Sequence, residues 1–557
     1  MKPKYTYLLL LLGIVLLGTF LRFYRITTVP PSLSHDETAI AYNAYSLAVT
    51  GKDEYGQPYP LLFKSFDDYK LPGMVYATIP SVLLFGRTAL GARVPSALLG
   101  SLTILIVYLL VYELIKQYRD HSGKSTSILP AQVYALSAAF FFAISPWHIN
   151  FSRQLFESNG ALFFLSFGTY MLLLSLRKHR ALILAALLLS VSVYFYYSVR
   201  LVIPFVLLSY VLVQRNKLAS YKGIIFTSIF LFVITLLPIG NQMITPGGLE
   251  RISIVSIVND PNYLAWKDTF IKKYAESPTI VTKILYNQKT ALIAAAADNY
   301  WKNIAPLHVF ESGTSAYGLQ HPFEIVTIAI GVLYIINFSH PSKWLLISWF
   351  LAAFLPGALS TNQPNALRTL LASPFLAICS GLGAAELMLA IERKRRLFYG
   401  VIPFALLLVY FFYAFYHSYL IVNPTQNALA FGDGYEQMIR YVKANESSYD
   451  RIVISGYHWR PYIFMLYWGN TDPRLYQREG TTRGWGKYMF TGAEWDKNEI
   501  FLYDTTVDPK KLIATSREKT LFILARIEFE KNRDKYQYID TLSGRNAPAV
   551  FVTALSK

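Results

Sequence analysis

Residues 6–22, TYLLLLLGIVLLGTFLR, form an apolar run long enough to cross the hydrocarbon core of a membrane. Lys2 and Lys4 precede this run, as basic residues also precede the apolar part of a signal peptide. No small-residue cleavage site follows the run, so we interpret it as an uncleaved anchor. The chain is therefore expected to enter the membrane at its first helix.

Ten further runs have a similar length and composition, which gives eleven expected membrane spans. The sequence thus predicts a polytopic α-helical membrane protein. The ten runs are 91–113, 129–147, 160–176, 181–197, 200–213, 223–240, 322–338, 344–359, 368–390 and 398–421.

The overall composition agrees with many spans. Of 557 residues, 54% are hydrophobic and only 15% are charged, and the mean hydropathy is +0.33. The hydrophobic fraction exceeds what one soluble core needs. The same composition argues against a disordered chain and against a coiled coil. Aromatic residues make up 16% of the chain, which suits repeated crossings of the membrane interface.

The net charge of +18 would be compatible with nucleic-acid binding in a soluble protein, but its distribution indicates topology instead. One alternating set of loops holds sixteen basic and three acidic residues, and it includes the run Arg393-Lys394-Arg395-Arg396. By the positive-inside rule this set is cytoplasmic. The set is 1–7, 113–128, 177–180, 214–222, 339–343 and 391–397, and no nucleic-acid partner is needed to explain the charge.

This topology places five segments outside the cytoplasm, which are the segments to search for chemistry. The short apolar run 72–86 opens with Pro72-Gly73 and is interpreted as an interfacial helix rather than a span. The external segments are then 23–90, a loop around 148–159, 241–321, 360–367 and 422–557.

The external tail 422–557 changes character after the membrane region 1–421. Short β-prone runs alternate there with amphipathic segments, which predicts a small α/β domain. The only cysteine, Cys379, lies in a predicted span, so no disulfide stabilises the tail. This favours a prokaryotic cell envelope over an endoplasmic-reticulum lumen, and the loop charges place the active site of such a membrane protein outside the cytoplasm. The chain contains no P-loop, zinc-spaced Cys/His cluster or Gly-x-Ser-x-Gly motif.

The first external loop holds the sharpest group of polar residues, PPSLSHDE at 30–37. Asp36 and Glu37 are expected close to the membrane surface, where lost solvation makes a carboxylate more basic, as a general base requires. The alternative is that Asp36 is a helix N-cap and Glu37 a first-turn residue aligned with the helix dipole. Spacing alone leaves both interpretations open.

Two cations outside the membrane also have structural interpretations. Lys70 stands before the interfacial helix, where its ammonium would hold a lipid-linked phosphate or simply anchor the helix end by snorkelling. Arg153 and Glu157 are four residues apart and are expected on one helical face, where they would form an ion pair.

Several stretches together resemble membrane glycosyltransferases of the GT-C fold, in particular the dolichyl-phosphate-mannose-protein mannosyltransferase and aminoarabinose-transferase branch. The resemblance covers most of residues 1–420, and its motifs gain specificity from their order and external placement. The stretches are Asp36-Glu37, Tyr69-Lys70-Leu71-Pro72, Ala92 to Leu98, Arg153 to Glu157, Asn299 to Phe310, Gln320-His321-Pro322 and Leu359 to Arg368.

The sequence departs from the family pattern at three positions. Lys-Pro-Pro is often seen where this chain has Lys70-Leu71-Pro72, the His that often precedes the late Arg is replaced by Asn365, and the second-loop acid, commonly Asp, is Glu157. The first two changes leave the cation in place. The third lengthens the acidic arm by one methylene, which makes direct coordination by Glu157 less secure.

The resemblance implies inverting transfer of a sugar from a polyprenyl-phosphate donor to a protein, glycan or lipid acceptor on the outer face. It implies that Asp36 is the base and that Glu37 and Glu157 orient it or the acceptor. The resemblance assigns binding of the donor phosphate to Lys70, Arg368 and Arg153. It assigns substrate binding to His35, Tyr69, Asn159, His321 and Asn365. No cofactor is required by the sequence, and a bridging divalent metal ion is left open.

Two other functions have to be weighed against an enzyme. A secondary transporter would also have many spans, but it usually carries charged groups or broken helices near the bilayer midplane, whereas these spans are nearly free of charge. A non-catalytic envelope protein would use the external tail to bind a partner. Eleven spans are more than such an anchor needs.

Overall fold

The structure, a computed structural model, describes residues 3–66, 68–122, 129–275, 279–311, 318–393, 397–491 and 518–556. Parts of two predicted cytoplasmic loops, residues 123–128 and 394–396, lie outside the described residues. The chain forms two compact units. The first contains Met1–Tyr24, Ser96–Ser152 and Phe156–Tyr416, and the second contains Arg25–Pro95, Arg153–Leu155 and His417–Lys557.

The helices up to residue 152 range in length from 7 to 34 residues. They are α1 (Pro3–Phe23), α2 (His35–Thr50), α3 (Pro72–Phe85), α4 (Ala89–Ser122), α5 (Ala131–Ile144) and α6 (Pro146–Ser152).

The middle of the chain is also helical. It contains α7 (Glu157–Ser175), α8 (Ala181–Val193), α9 (Val199–Gln214), α10 (Lys222–Met243), α11 (Pro246–Val255), α12 (Pro261–Ala275), α13 (Ile280–Leu285), α14 (Gln288–Ile304), α15 (Pro306–Glu311), α16 (Glu324–Ile336), α17 (Lys343–Ala352), α18 (Leu355–Ala358), α19 (Ser373–Arg393) and α20 (Leu397–His417).

Among the residues that the structure describes, six helical segments are long and apolar enough to cross a membrane: Tyr5–Phe23, Ala89–Asp120, Glu157–Ser175, Lys222–Met243, Leu370–Glu392 and Gly400–Gln426. The other five predicted spans coincide with apolar helices of 10–17 residues. The predicted span 344–359 is interrupted, because α17 ends at Ala352 and α18 begins at Leu355, with Pro356 in its first turn. The short apolar helix predicted at 72–86 is observed as α3.

Glycines allow three helices of the first unit to pack at backbone contact. A Cβ on Gly331 of α16 would lie 2.0 Å from the carbonyl oxygen of Cys379 in α19. A Cβ on Gly383 of α19 would lie 1.8 Å from the carbonyl oxygen of Thr327. Gly381 approaches the backbone of Ala138 in α5 in the same way. Small residues that permit such close approach are typical of helix packing in membranes.

The second unit contains α2, α3 and a two-stranded antiparallel hairpin of β1 (Phe63–Ser65) and β2 (Asp68–Lys70). The tail adds α21 (Asn423–Gln426), α22 (Tyr435–Asn445), β3 (Arg451–Ile454), α23 (Pro461–Trp468), α24 (Pro473–Glu479), β4 (Gly484–Trp485), β5 (Tyr488–Phe490), β6 (Thr520–Ala525), α25 (Arg526–Lys531), β7 (Tyr536–Leu542) and β8 (Phe551–Ser556).

The tail strands form one six-stranded sheet in the order β4-β5-β3-β6-β8-β7. Strand β3 pairs in parallel with both β5 and β6, and the other pairs are antiparallel. Strand β6 is buried along its whole length, as a continuous apolar run in a central strand predicts. The expected α/β fold of the tail is thus confirmed.

Candidate active site

Helix α2 begins with a capping box formed by Ser34 and Glu37. The Ser34 hydroxyl accepts a hydrogen bond from the Glu37 amide at 3.3 Å, and the Glu37 carboxylate accepts one from the Ser34 amide at 3.0 Å. The sequence Ser-x-x-Glu is the signature of this motif. The alternative in which Asp36 caps the helix is therefore wrong. Asp36 is the second residue of α2, and Ser34 is the cap.

Glu37 is fully buried and forms an ion pair with the equally buried Arg93. Arg93 Nε donates to Glu37 Oε1 at 2.9 Å, and the Leu155 amide donates to the same oxygen at 3.0 Å. Arg93 also donates to the carbonyl oxygens of Ile26, Pro30 and Ser32. The Glu37–Arg93 pair therefore fixes the loop that leads into α2.

Asp36 is in contact with Lys70. The ammonium Nζ of Lys70 donates to Asp36 Oδ1 at 2.6 Å, while about 39% of the Asp36 side chain stays exposed. Lys70 is the last residue of β2, and its backbone pairs with Phe63 of β1. The hairpin and the capped start of α2 thus bring together an acid and a cation that are 34 residues apart in the chain.

His35 lies beside this pair within an aromatic group that the sequence analysis missed. Its ring stacks on Trp459 with centroids 4.7 Å apart and touches Phe66 at 5.3 Å. The guanidinium of Arg460 lies 4.9 Å from the centre of the Phe66 ring. Burial lowers the pKa of His35, and the positive charges of Lys70 and Arg460 add to this effect against the opposing charge of Asp36. The imidazole is therefore neutral at physiological pH.

Phe66 sits at the turn of the hairpin with φ +63°. A bulky residue in this left-handed region is uncommon and persists only where its surroundings hold it. Its ring meets Tyr462 edge-on at 6.0 Å in addition to His35 and Arg460. The tail thus supplies neighbours of His35 and Phe66, and His35 precedes Asp36 in the chain.

Arg153 is buried, and its Nη2 donates to the carbonyl oxygen of Val29 at 2.9 Å. Its guanidinium also lies 5.4 Å from the centre of the Tyr419 ring. The expectation that Arg153 and Glu157 share a helical face is wrong. Helix α7 begins at Glu157, and Phe156 before it has extended backbone geometry.

Tyr69, another predicted substrate-binding residue, lies in β2 between Asp68 and Lys70. Its amide donates to Asp68 Oδ1 at 2.7 Å, and its side chain is half-buried. The structure therefore brings His35, Asp36, Glu37, Lys70 and Arg153 into one unit together with Tyr69.

The remaining predicted site residues belong to the first unit. Glu157 is the first residue of α7, and Asn159 follows it and donates to the carbonyl oxygen of Ser96 at 2.7 Å. His321 is buried, with Nε2 3.2 Å from the carbonyl oxygen of Ile144.

Asn365 and Arg368 lie in the turn before α19. Asn365 Oδ1 accepts a hydrogen bond from the Arg368 amide at 3.0 Å, and the Asn365 amide donates to Asn303 Oδ1 at 3.0 Å. Arg368 Nη1 donates to the carbonyl oxygen of Thr361 at 2.8 Å. These hydrogen bonds close residues 361–368 into a turn that holds the Arg368 side chain.

A metal site is not apparent from the donor groups. Within the described ranges, no group of three or more His, Cys, Asp or Glu side chains is arranged to hold a metal ion. At Asp36 the Lys70 ammonium already supplies positive charge 2.6 Å from the carboxylate.

Comparison with solved structures identifies the fold. The chain superposes on ArnT from Cupriavidus metallidurans in the apo state with a TM-score of 0.56 and 11% identity, over 100% of this chain and 98% of that one. The same protein bound to undecaprenyl phosphate gives a TM-score of 0.54 and 11% identity, over 99% and 98%.

The Archaeoglobus fulgidus oligosaccharyltransferase in complex with Zn and sulfate gives a TM-score of 0.52 and 14% identity, over 82% of this chain. This chain spans 61% of the length of that enzyme. No family model matches the sequence. No curated protein matches it either.

The predicted fold class is confirmed by these likenesses and by the helical and sheet regions described above. The chain has a polytopic α-helical membrane fold of the GT-C type with a C-terminal α/β region.

Proposed function

We propose that this protein is an integral membrane glycosyltransferase that transfers a sugar from a polyprenyl-phosphate donor to a protein, glycan or lipid acceptor. The observation that carries the proposal is the contact between Asp36 and Lys70 at 2.6 Å, at the capped start of a helix. An acid and a cation are the two groups that such a transfer needs. The fold shared with ArnT, solved with undecaprenyl phosphate, supports a lipid-linked donor.

Asp36 acts as the general base in this proposal. Its carboxylate takes the proton of the acceptor hydroxyl or amide as the acceptor atom attacks C1 of the sugar. The bond between C1 and the phosphate oxygen breaks, and its electron pair leaves with the polyprenyl phosphate. Attack from the face opposite the leaving group inverts the anomeric carbon.

Lys70 and Arg368 bind the donor phosphate and stabilise the negative charge that develops on it. Both are expected at the outer membrane interface, where a phosphate headgroup and its lipid tail are met together. Because Lys70 is largely buried, its ammonium is held at a defined point, which snorkelling alone would not require.

Glu37 and Arg153 support this site by holding the loop that leads into α2. Their contacts with Arg93, Leu155 and Val29 position the start of the helix and therefore Asp36. We assign Glu157, Asn159, His321 and Asn365 to binding of the acceptor or the sugar, as the family resemblance implies. We also assign Tyr69 and His35 to substrate binding on the same ground.

We place the protein in the mannosyltransferase and aminoarabinose-transferase branch, so hexose and aminopentose donors are the first to test. We also infer a multi-pass prokaryotic cell-membrane protein with its active site outside the cytoplasm, from the charge of the loops. Residues 1–421, which include the first external loop 23–90, are proposed as the catalytic region, and residues 422–557 as the external domain.

The test is release of polyprenyl phosphate by the purified full-length protein incubated with polyprenyl-phosphate sugars and an envelope extract as acceptor. We expect Asp36→Asn to slow release by about 10²–10⁴-fold, because the amide cannot accept the proton. Asp534→Asn, an exposed acid in the same unit, is the matched control and should leave the rate unchanged. Equal rates for the two variants, or no release by the wild type with any donor, would contradict the proposal.

A further inference from the structure

A second polar site lies in the second unit, away from Asp36. It is a cavity of about 590 Å³ whose lining includes Arg87, Arg440, Lys443 and Arg545 but a single acid, Glu436. The ring of Trp468 lines the cavity too. Such an excess of positive charge in a concave surface attracts anions.

Two of the cations come from one face of α22. Arg440 and Lys443 are three residues apart on this helix, and Glu436 precedes Arg440 by one helical turn. Arg440 donates to Glu436 Oε1 at 2.5 Å, yet 76% of its side chain is exposed. The Glu436 carboxylate thus accepts hydrogen bonds from two guanidinium groups, because Arg545 donates to its Oε2 at 3.0 Å.

The loop that carries Arg545 is rigidly built. Buried Asp433 accepts hydrogen bonds from the amides of Arg545, Asn546 and Ala547 at 3.0, 2.6 and 3.0 Å. Arg545 Nη1 also reaches the carbonyl oxygen of Thr27 at 3.3 Å. The backbone of this loop is therefore fixed by Asp433, and the Arg545 guanidinium is held at the cavity by Thr27 and Glu436.

Arg87 completes the group without an acid of its own. Its Nη1 donates to the carbonyl oxygens of Leu466 and Thr471 at 3.3 and 2.7 Å, and its guanidinium lies 4.4 Å from the centre of the Tyr45 ring. Within the part of the chain that the structure describes, no carboxylate lies within 4.0 Å of the Arg87 guanidinium. A half-buried guanidinium held by carbonyls and a ring is well suited to receive an anion.

This cavity is separate from the proposed catalytic site. Helix α23 runs from Pro461, next to Arg460 above Phe66, to Trp468 in the cavity lining. Eight helical residues span about 12 Å at 1.5 Å per residue. Two lining residues are close in sequence to candidate membrane spans. Thr27 follows the segment Tyr5–Phe23, and Ala89 is the first residue of the segment Ala89–Asp120.

We propose that this cavity binds a phosphate group, either the headgroup of an anionic bilayer lipid or a free phosphate. The guanidinium groups of Arg87 and Arg545 hold the phosphate oxygens, and the exposed Arg440 adds charge beside them. The Lys443 ammonium is already paired with Glu446 at 2.9 Å. Arginine forks match phosphate geometry, and the Trp468 ring offers an apolar wall for the neighbouring carbon atoms.

The test measures equilibrium binding of radiolabelled phosphatidylglycerol, phosphatidylcholine with the same acyl chains, and inorganic phosphate to the full-length protein in neutral detergent. We expect Arg440→Gln to weaken phosphatidylglycerol binding about fivefold and Arg440→Gln with Arg545→Gln about 25-fold, from about 1 kcal/mol per cation. Arg478→Gln, an exposed arginine paired with Glu479 outside the cavity, is the matched control. Arg440→Gln removes a mostly exposed side chain, so it tests the site without disturbing the fold.

The lipid source is supported if phosphatidylglycerol binding falls in the variants while inorganic phosphate does not compete. The free-phosphate source is supported if inorganic phosphate binds the wild type and competes with the lipid. Equal binding of every anion by wild type, cavity variants and Arg478→Gln would overturn the proposal, as would equal binding of phosphatidylglycerol and phosphatidylcholine with no bound phosphate.

Discussion

Replacing Glu37 by Gln should destabilise the second unit strongly, because both oxygens of its carboxylate accept hydrogen bonds. Its two oxygens accept hydrogen bonds from the Ser34 amide, the Leu155 amide and two nitrogens of Arg93, at 2.9 to 3.3 Å. An amide would place an N–H group against donors at one of these two positions. The buried guanidinium of Arg93 would also lose its only carboxylate among the contacts described above.

The magnitude follows from the burial of the pair. Removing one partner of a buried ion pair costs about 3–5 kcal/mol. Arg93 keeps three backbone carbonyl partners, so we expect the lower end, about 3 kcal/mol. For a unit of roughly 200 residues, 1 kcal/mol lowers the unfolding temperature by about 2–4 °C, so a fall of about 6–12 °C is expected.

The assay is tryptophan fluorescence during thermal unfolding of the detergent-solubilised full-length protein, with sugar transfer measured below the transition. The double variant Glu37→Gln with Arg93→Met should recover part of the loss, since it leaves no unpaired buried charge. An unfolding temperature of Glu37→Gln within about 1 °C of the wild type would refute the structural role. Lost transfer at an unchanged unfolding temperature would place Glu37 in the chemistry instead.

Three further predictions follow from single residues. Lys70→Ala should raise KM for the donor and lower kcat, Lys70→Arg should keep part of both, and an effect on acceptor KM alone would argue against phosphate binding. Cysteines at the exposed positions Lys64 and Lys178 should react with an impermeant thiol reagent in intact cells only at Lys64, and labelling at Lys178 would reverse the topology. Burial raises the pKa of Glu54 from 4.5 to about 8, so the folded protein binds this proton more tightly and stability should fall as pH rises between these values. Glu54→Gln should remove that fall in the unfolding temperature, and an unchanged pH profile would show that Glu54 does not cause it.

The sequence predicts well what depends on one continuous stretch. The run 6–22 became a helix of membrane length, and the apolar run 520–524 became a central strand, because length and composition decide such elements locally. The capping box was also readable from Ser34 and Glu37, and reading it would have shown that Asp36 does not cap the helix. Local signals of this kind need no tertiary information.

What the sequence did not predict depends on residues brought together from distant stretches. Trp459 and Arg460 lie more than 390 residues after His35 and Phe66, and no local pattern indicates that they meet. The ion pair of Glu37 with Arg93 likewise joins two positions 56 residues apart. The packing of the tail against His35 and Phe66 therefore had to come from the structure.

Under the proposed function, the contact between Asp36 and Lys70 has to open during each catalytic cycle. In an inverting displacement the attacking and leaving atoms lie on opposite faces of C1. A base bound to the attacking atom and a cation bound to the leaving oxygen are then separated by the sugar carbon, so they cannot stay 2.6 Å apart. Arrival of the phosphate gives Lys70 a new anionic partner and exposes the Asp36 oxygen to the acceptor, so donor binding prepares the base that attack on the donor requires.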